Sequence, residues 1–247
     1  VSGGGLRSAL WVMRTLQESD RALKGKLLRQ SVLMTGASGG MLGAAYLREL
    51  CLQRQLGHIR DEHDPVYFQD LGKDLLNPIA FATIANDLYY PLTTFERGGF
   101  RYRKDKGYLF ERQLNENCRS LFQRSLAGYR RPERRALIPM LVLSPYILND
   151  ARRLIISPQK LSYLMQPDAG GRLSTQTEID GVDFSRFFAR QQADSFAFST
   201  ALRMNCTYPL VLPNVWLPTT PALEVMDAGL RDNYGSGLAV RLVQTFR

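Results

Sequence analysis

Two stretches carry residues whose types and spacing could do acyl-transfer chemistry. Gly36-Ala37-Ser38-Gly39-Gly40 is a GxSxG sequence. A serine at a tight strand-to-helix turn is a nucleophile's position, and small neighbours relieve the crowding there. The helix that follows contributes positive potential and free N–H groups, which favour a developing oxyanion. Near the start, Ser2-Gly3-Gly4-Gly5-Leu6-Arg7 places three successive glycines before a helical pattern. Such a loop lets N–H groups converge on an anion, and in acyl transfer it would form an oxyanion hole. Arg7 would add a fixed charge for the oxyanion or for a substrate phosphate. The same loop could serve as a linker or cradle a nucleotide phosphate. Neither GxGxxG nor the Lys-Ser/Thr ending of a P-loop is present, which weakens the nucleotide reading.

A serine nucleophile needs a base. The chain has 2 histidines, His58 and His63, in a charged loop with Asp61, Glu62 and Asp64. They read as surface residues, and no histidine follows the last acidic candidate, Asp227. The Ser, Asp, His order of an α/β-hydrolase triad is therefore missing. Asp227, at the end of an apolar run and before Ala228-Gly229, is the expected proton acceptor in a two-residue dyad. It would need partial burial to be basic enough.

The elements that must position these groups follow from periodicity. Residues 5–17 carry Leu6, Ala9, Leu10, Met13 and Leu16 at helical spacing. Residues 31–34 read as a buried strand, 35–40 as a turn and 41–56 as a helix. Further on, 66–76, 78–88, 108–126, 194–204 and 237–246 read as helices. Strands are expected at 136–143, 153–156 and 223–226, with 209–218 extended. Residues 58–65, 89–107 and 167–179 read as loops or irregular segments. Strands alternating with helices predict one α/β domain over 1–247: a three-layer α/β/α sandwich with a mainly parallel central sheet. Both motifs fall at strand carboxyl ends, where such sheets hold their sites.

Composition sets the class. With 45% hydrophobic and 22% charged residues the chain is globular. The net charge is +9, with basic clusters at 101–106 and 130–135. Such a surface can meet nucleic acid, anionic headgroups or acidic substrates. Phe100, Tyr102 and Tyr108 lie in or beside the first cluster, a mixture suited to a membrane interface as well as to a solvated loop. The 3 cysteines, Cys51, Cys118 and Cys206, are odd in number and far apart. That argues against a disulfide framework or a zinc site and for a reducing compartment. No apolar run has the length of a membrane span, and no signal peptide is visible. The abrupt start at Val1 reads as a segment excised from a longer chain.

Taken in order, Ser2 to Arg7, Gly36 to Gly40 and Asp227 to Gly229 resemble the patatin-like phospholipase family. Residues 199–213 (STALRMNCTYPLVLP) are similar to that family's small-residue helix leading to a proline-flanked aromatic. The resemblance spans most of the chain but is strong only at these patches. It implies that Ser38 and Asp227 are the catalytic dyad and that Gly3, Gly4 and Gly5 form the oxyanion hole, with Arg7 supporting it and Gly39 contributing. It implies a lipid acyl hydrolase with no cofactor and no metal. Its partners would be a lipid substrate and a membrane surface, not nucleic acid, and its setting cytoplasmic or membrane-associated. Asp-Ala-Gly stands where the family more often has Asp-Gly-Gly. Gly39-Gly40 stands for the usual Ala-Gly, as in related cytosolic phospholipases. Residues 57–135 match no named motif and read as a lid or lipid-binding insertion. The alternatives are another serine hydrolase, such as a thioesterase, or a non-catalytic lipid-binding or scaffold domain that keeps the fold.

Overall fold

A computed structural model describes residues 1–85, 94–97, 100–165, 180–208 and 211–246. The loop expected at 167–179 lies outside them. The fold is mixed α/β, with about 54% helix against 13% strand, so helices carry most of the core.

The first helix, α1 (Gly5–Ala22), buries Ala9, Val12 and Met13 on one face, as the periodicity predicts. After the short α2 (Lys26–Gln30), strand β1 (Leu33–Gly36) feeds α3 (Ser38–Gln55) through Ala37 alone. Residues Gly39 to Gln53 of α3 are all buried. A helix apolar nearly all round is a central helix. Its one guanidinium in the interior, Arg48, is held by the Pro139 carbonyl at 2.8 Å and by the Glu133 carboxylate, and lies over the Tyr129 ring. A buried cation needs such partners, because desolvation costs several kcal/mol per ion.

The chain then forms α4 (Pro65–Leu71), α5 (Leu76–Ala82), β2 (Thr94–Arg97), β3 (Phe100–Arg103), α6 (Lys106–Asn117) and α7 (Leu126–Arg134). Three of these were not expected. β2 and β3 pair antiparallel inside the segment read as irregular. α7 occupies the second basic cluster, with Leu126 and Tyr129 turned inward and the arginines on its other faces. Leu71, Leu114, Phe122 and Tyr129 are fully buried in the same core as α3, so much of 57–135 is packed into the body of the domain.

β4 (Met140–Leu143) and β5 (Tyr146–Ile147) are separated only by Ser144-Pro145. Then come β6 (Arg153–Ile155), β7 (Gly181–Asp183), α8 (Phe184–Phe187), α9 (Phe198–Met204), β8 (Val215–Leu217), β9 (Leu223–Met226), α10 (Gly229–Asp232) and α11 (Ser236–Thr245). β1 pairs with β4 in parallel, and a five-stranded sheet runs β7-β6-β5-β9-β8. Within that sheet only β6 and β7 are parallel among the described strands. The mainly parallel sheet expected from alternating strands and helices is therefore corrected to a mixed one. Several connections are too short for a crossover helix, and strands so joined pair antiparallel.

Pairing direction decides where the motifs meet. β1 is parallel to β4, so its carboxyl end lies beside Leu143. β9 is antiparallel to β5, so its carboxyl end lies beside Tyr146. The two strands thus run toward the Ser144-Pro145 junction from opposite ends, delivering Ser38 and Asp227 to one place.

Candidate active site

Ser38 begins α3 with φ 50°, in the left-handed region that a residue with a Cβ rarely occupies. Strain of this kind costs about 1–3 kcal/mol and persists where the surroundings fix it. Here the surroundings are visible. The Ser38 N–H donates to the Asn205 carbonyl at 3.0 Å, and Val1 pairs alongside β1 by accepting from the Ala37 N–H at 3.2 Å. Ser38 itself is half-buried, so its hydroxyl remains reachable.

Asp227 follows β9 directly and is 3% exposed. Its Oδ1 accepts the Gly229 N–H at 2.7 Å. Its Oδ2 is buried with no hydrogen-bond partner among the described residues. The Ser38 hydroxyl nevertheless lies close enough to stabilise the carboxylate. The two groups are neighbours without a closed hydrogen bond between them, a common looseness in a site without substrate. Burial is the larger influence and pushes the Asp227 carboxyl above its ordinary range, while the Gly229 N–H and the Ser38 hydroxyl pull it back. A carboxylate with a raised pKa and a free oxygen beside a hydroxyl is equipped to accept that hydroxyl's proton.

The glycine loop meets this pair. A Cβ on Gly39 would stand 1.8 Å from the Gly5 carbonyl oxygen, and one on Gly40 would stand 2.0 Å from that of Ser2. The glycines after the serine therefore admit the backbone of residues 2–5, a stronger demand than relieving crowding at the serine. Gly4 (φ 140°) and Gly5 (φ 64°) are exposed and need the conformations that glycine adopts freely. Their N–H groups, with that of Gly39, have no partner among the described residues. Gly3 differs: its N–H donates to both the carbonyl and the side-chain oxygen of Asn233, each at 3.1 Å. The expectation that Gly3 donates to an oxyanion is corrected, because this donor is already engaged in anchoring the loop. The expected support by Arg7 is not seen either. Its side chain is exposed at the first turn of α1 and makes no hydrogen bond or ion pair among the described residues.

Two asparagines escaped the sequence reading. Asn205, fully buried at the C-cap of α9, ties three turns together. Its Nδ2 donates to the Gly36 carbonyl at 3.2 Å, and its Oδ1 accepts the Ser144 N–H at 3.0 Å. Its carbonyl accepts from Ser38 and, at 3.4 Å, from Ala228. Asn233 joins the turn after Asp227 to the glycine loop, as above. An Asn at a helix end reads as an ordinary stop signal, so nothing local marks Asn205. Asn205→Ala leaves two buried backbone groups unpaired, at about 1–3 kcal/mol each. The expected outcome is a lower unfolding temperature together with slower turnover in the molecules that still fold, checked by thermal unfolding and steady-state kinetics.

The histidines divide. His58 is exposed, as expected, with Nδ1 at 2.7 Å from Gln53 Oε1. His63, expected at the surface, is corrected to buried, with Nε2 at 3.0 Å from Asp20 Oδ2. Asp20 lies at the carboxyl end of α1, about 20 Å along that helix from the glycine loop at a rise of ~1.5 Å per residue. No imidazole of this chain stands between Ser38 and Asp227. All three cysteines are buried free thiols. Of the 101–106 cluster, the side chains of residues 101–103 lie outside the description, and Tyr108 packs on Phe95 with ring centres 4.9 Å apart. No helix among the described residues is long and apolar enough to cross a membrane.

Comparison with protein-family models, with curated proteins and with solved structures gives no match.

Proposed function

We propose that this chain is a serine hydrolase of lipid acyl esters, with Ser38 as nucleophile and Asp227 as its base. The observation that carries the reading is the buried Asp227 carboxylate, one oxygen unpartnered, beside the Ser38 hydroxyl. In the proposed reaction Asp227 takes the hydroxyl proton as Ser38 Oγ attacks the ester carbonyl. The N–H groups of Gly4, Gly5 and Gly39 are the candidate donors to the oxyanion. The tetrahedral intermediate expels the alcohol, which leaves with the proton from Asp227, and an acyl-enzyme remains. Water, deprotonated by Asp227, then releases the fatty acid. No metal or organic cofactor enters these steps. The patatin-like three-layer arrangement belongs to the same proposal, supported by the order of the three motifs and their convergence at one sheet junction.

The lipid preference rests on the rim. Leu230 (52% exposed) and Tyr234 (68% exposed) flank the Asp227 turn. Arg7 and the exposed Trp11 are four residues apart on α1 and therefore share a face. Exposed apolar side chains with a guanidinium that pairs with no described residue suit an acyl chain joined to an anionic headgroup. The test is hydrolysis of a short-chain nitrophenyl ester and of a phospholipid in vesicles by wild type and Ser38→Ala. The wild type is expected to turn over both, and the variant to fall at least about 10³-fold. Equal rates in the two proteins would refute the reading. Turnover of the simple ester alone would remove the lipid part.

A further inference from the structure

A second cluster of reactive groups lies at the far end of α1 and takes no part in the proposed hydrolysis. Asp20 is 1% exposed, Glu62 3% and His63 8%. Each offers a ligand atom, and these atoms all lie within 4.8 Å of one another. Burial of two carboxylates so close together calls for compensating charge. Arg54 binds Glu62 Oε1, whereas Arg21 pairs with Glu18 at 2.8 Å and meets the cluster only at the His63 carbonyl, at 3.2 Å. Glu62 Oε2 remains buried with no partner. Gln17, one helical turn before Asp20, donates from Nε2 to the Glu62 carbonyl at 3.1 Å and leaves its own Oε1 buried and unpartnered.

The arrangement around the imidazole is that of a ligand. Asp61 Oδ1 accepts the His63 backbone N–H at 2.9 Å and lies 3.2 Å from Nδ1. Carboxylates thus face both ring nitrogens, Asp20 at Nε2 and Asp61 at Nδ1, and the exposed Asp61 stands where a metal-bound histidine usually has its outer support. The Nε2 to Asp20 Oδ2 separation of 3.0 Å is close to the edge of a tetrahedron with bonds of about 2.0 Å. A pocket of about 380 Å³, lined by Asp20, Glu62, Cys51 and Arg54 among others but not by His63, gives an ion a way to the two carboxylates.

We propose that Asp20, Glu62 and His63 form a binding site for one divalent transition-metal ion of the zinc class, which pins the loop carrying residues 61–64 to the end of α1. An imidazole nitrogen among the donors selects this class over calcium or magnesium, which prefer all-oxygen shells. The site is independent of the hydrolase reading and can stand if that reading falls.

The test is titration of chelator-treated, dialysed protein with Co²⁺, followed by visible absorption, and with Zn²⁺ against a chromophoric chelator. One equivalent is expected to bind, with a rise in unfolding temperature. His63→Gln is expected to weaken binding at least 100-fold. Asp61→Ala changes a side chain that is 61% exposed and so threatens the fold least. It should weaken binding about 10- to 100-fold, the usual effect of losing an outer partner. Should His63→Gln not fold, Asp61→Ala decides. No uptake by the wild type, or uptake unchanged in the folded variants, would overturn the site.

Discussion

Asp227→Asn lowers ester turnover by at least about 10⁴-fold and at the same time raises the unfolding temperature. The loss has the scale seen when the acid of a serine-hydrolase triad is replaced. Here it is expected to be no smaller, because neither histidine stands at Ser38 to take the proton instead. The gain in stability has a separate origin. The folded protein buries a carboxylate whose Oδ2 has no partner, and burial raises its pKa. Between the ordinary carboxylate pKa and this raised one, the native state holds more protons than the unfolded state. Stability therefore falls as pH rises through that window, and the deficit persists above it. Below the window both states are protonated and the penalty vanishes. An asparagine carries no charge and can donate to the Ser38 oxygen. Relief of an unpaired buried group is worth about 1–3 kcal/mol, roughly 2 °C or more for a chain of this length. The gap in melting temperature between wild type and variant should open as pH rises above the ordinary carboxylate range. Thermal unfolding across pH checks this. The same raised pKa should place the acidic limb of the wild-type rate profile above that of an exposed aspartate.

The second large effect separates the glycines along α3. A Cβ at Gly39 meets the Gly5 carbonyl, and one at Gly43 meets the Ala9 carbonyl at 2.0 Å. Both contacts are with backbone, which cannot rotate aside. Gly39→Ala must displace the loop that carries the Gly4 and Gly5 N–H groups. Loss of a single oxyanion donor costs about 10²- to 10³-fold in turnover, so a fall of roughly 10³-fold is expected. Gly43→Ala instead wedges α1 from α3 one turn further along. Overpacking of this kind costs about 1–3 kcal/mol, sometimes more. It should lower the unfolding temperature while leaving turnover per folded molecule within about tenfold of wild type. Kinetics corrected for the folded fraction distinguish the two variants.

These expectations show which parts of the molecule were written locally in the chain. Ser38 and Asp227 were legible because each sits in a short pattern of small residues after an apolar run. β9 was read at its observed bounds, Leu223–Met226, for the same reason. The apolar spacing of α1 and the Leu/Ala-rich α3 were equally plain. Strand partners were not, since a strand's own residues do not say which way its neighbour runs. Residues 94–97 and 100–103 hide an antiparallel strand pair because their charges mask alternation. Asn205 acts on Gly36, 169 positions away, through one side-chain bond, and no spacing rule reaches that far. His63 sits in a run of charged residues that reads as solvated loop, and only the fold folds it against Asp20. Gly3 looked like its two neighbours until the Asn233 contacts set it apart.

The central claim is that Ser38 is a nucleophile activated by Asp227. Its most direct measurement is the mass of the intact protein, and of its peptides, after exposure to a fluorophosphonate. A single adduct on Ser38 is predicted, absent from Ser38→Ala and formed far more slowly by Asp227→Asn. An unmodified wild-type protein, an adduct on another residue, or equal labelling of the Asp227→Asn form would contradict it.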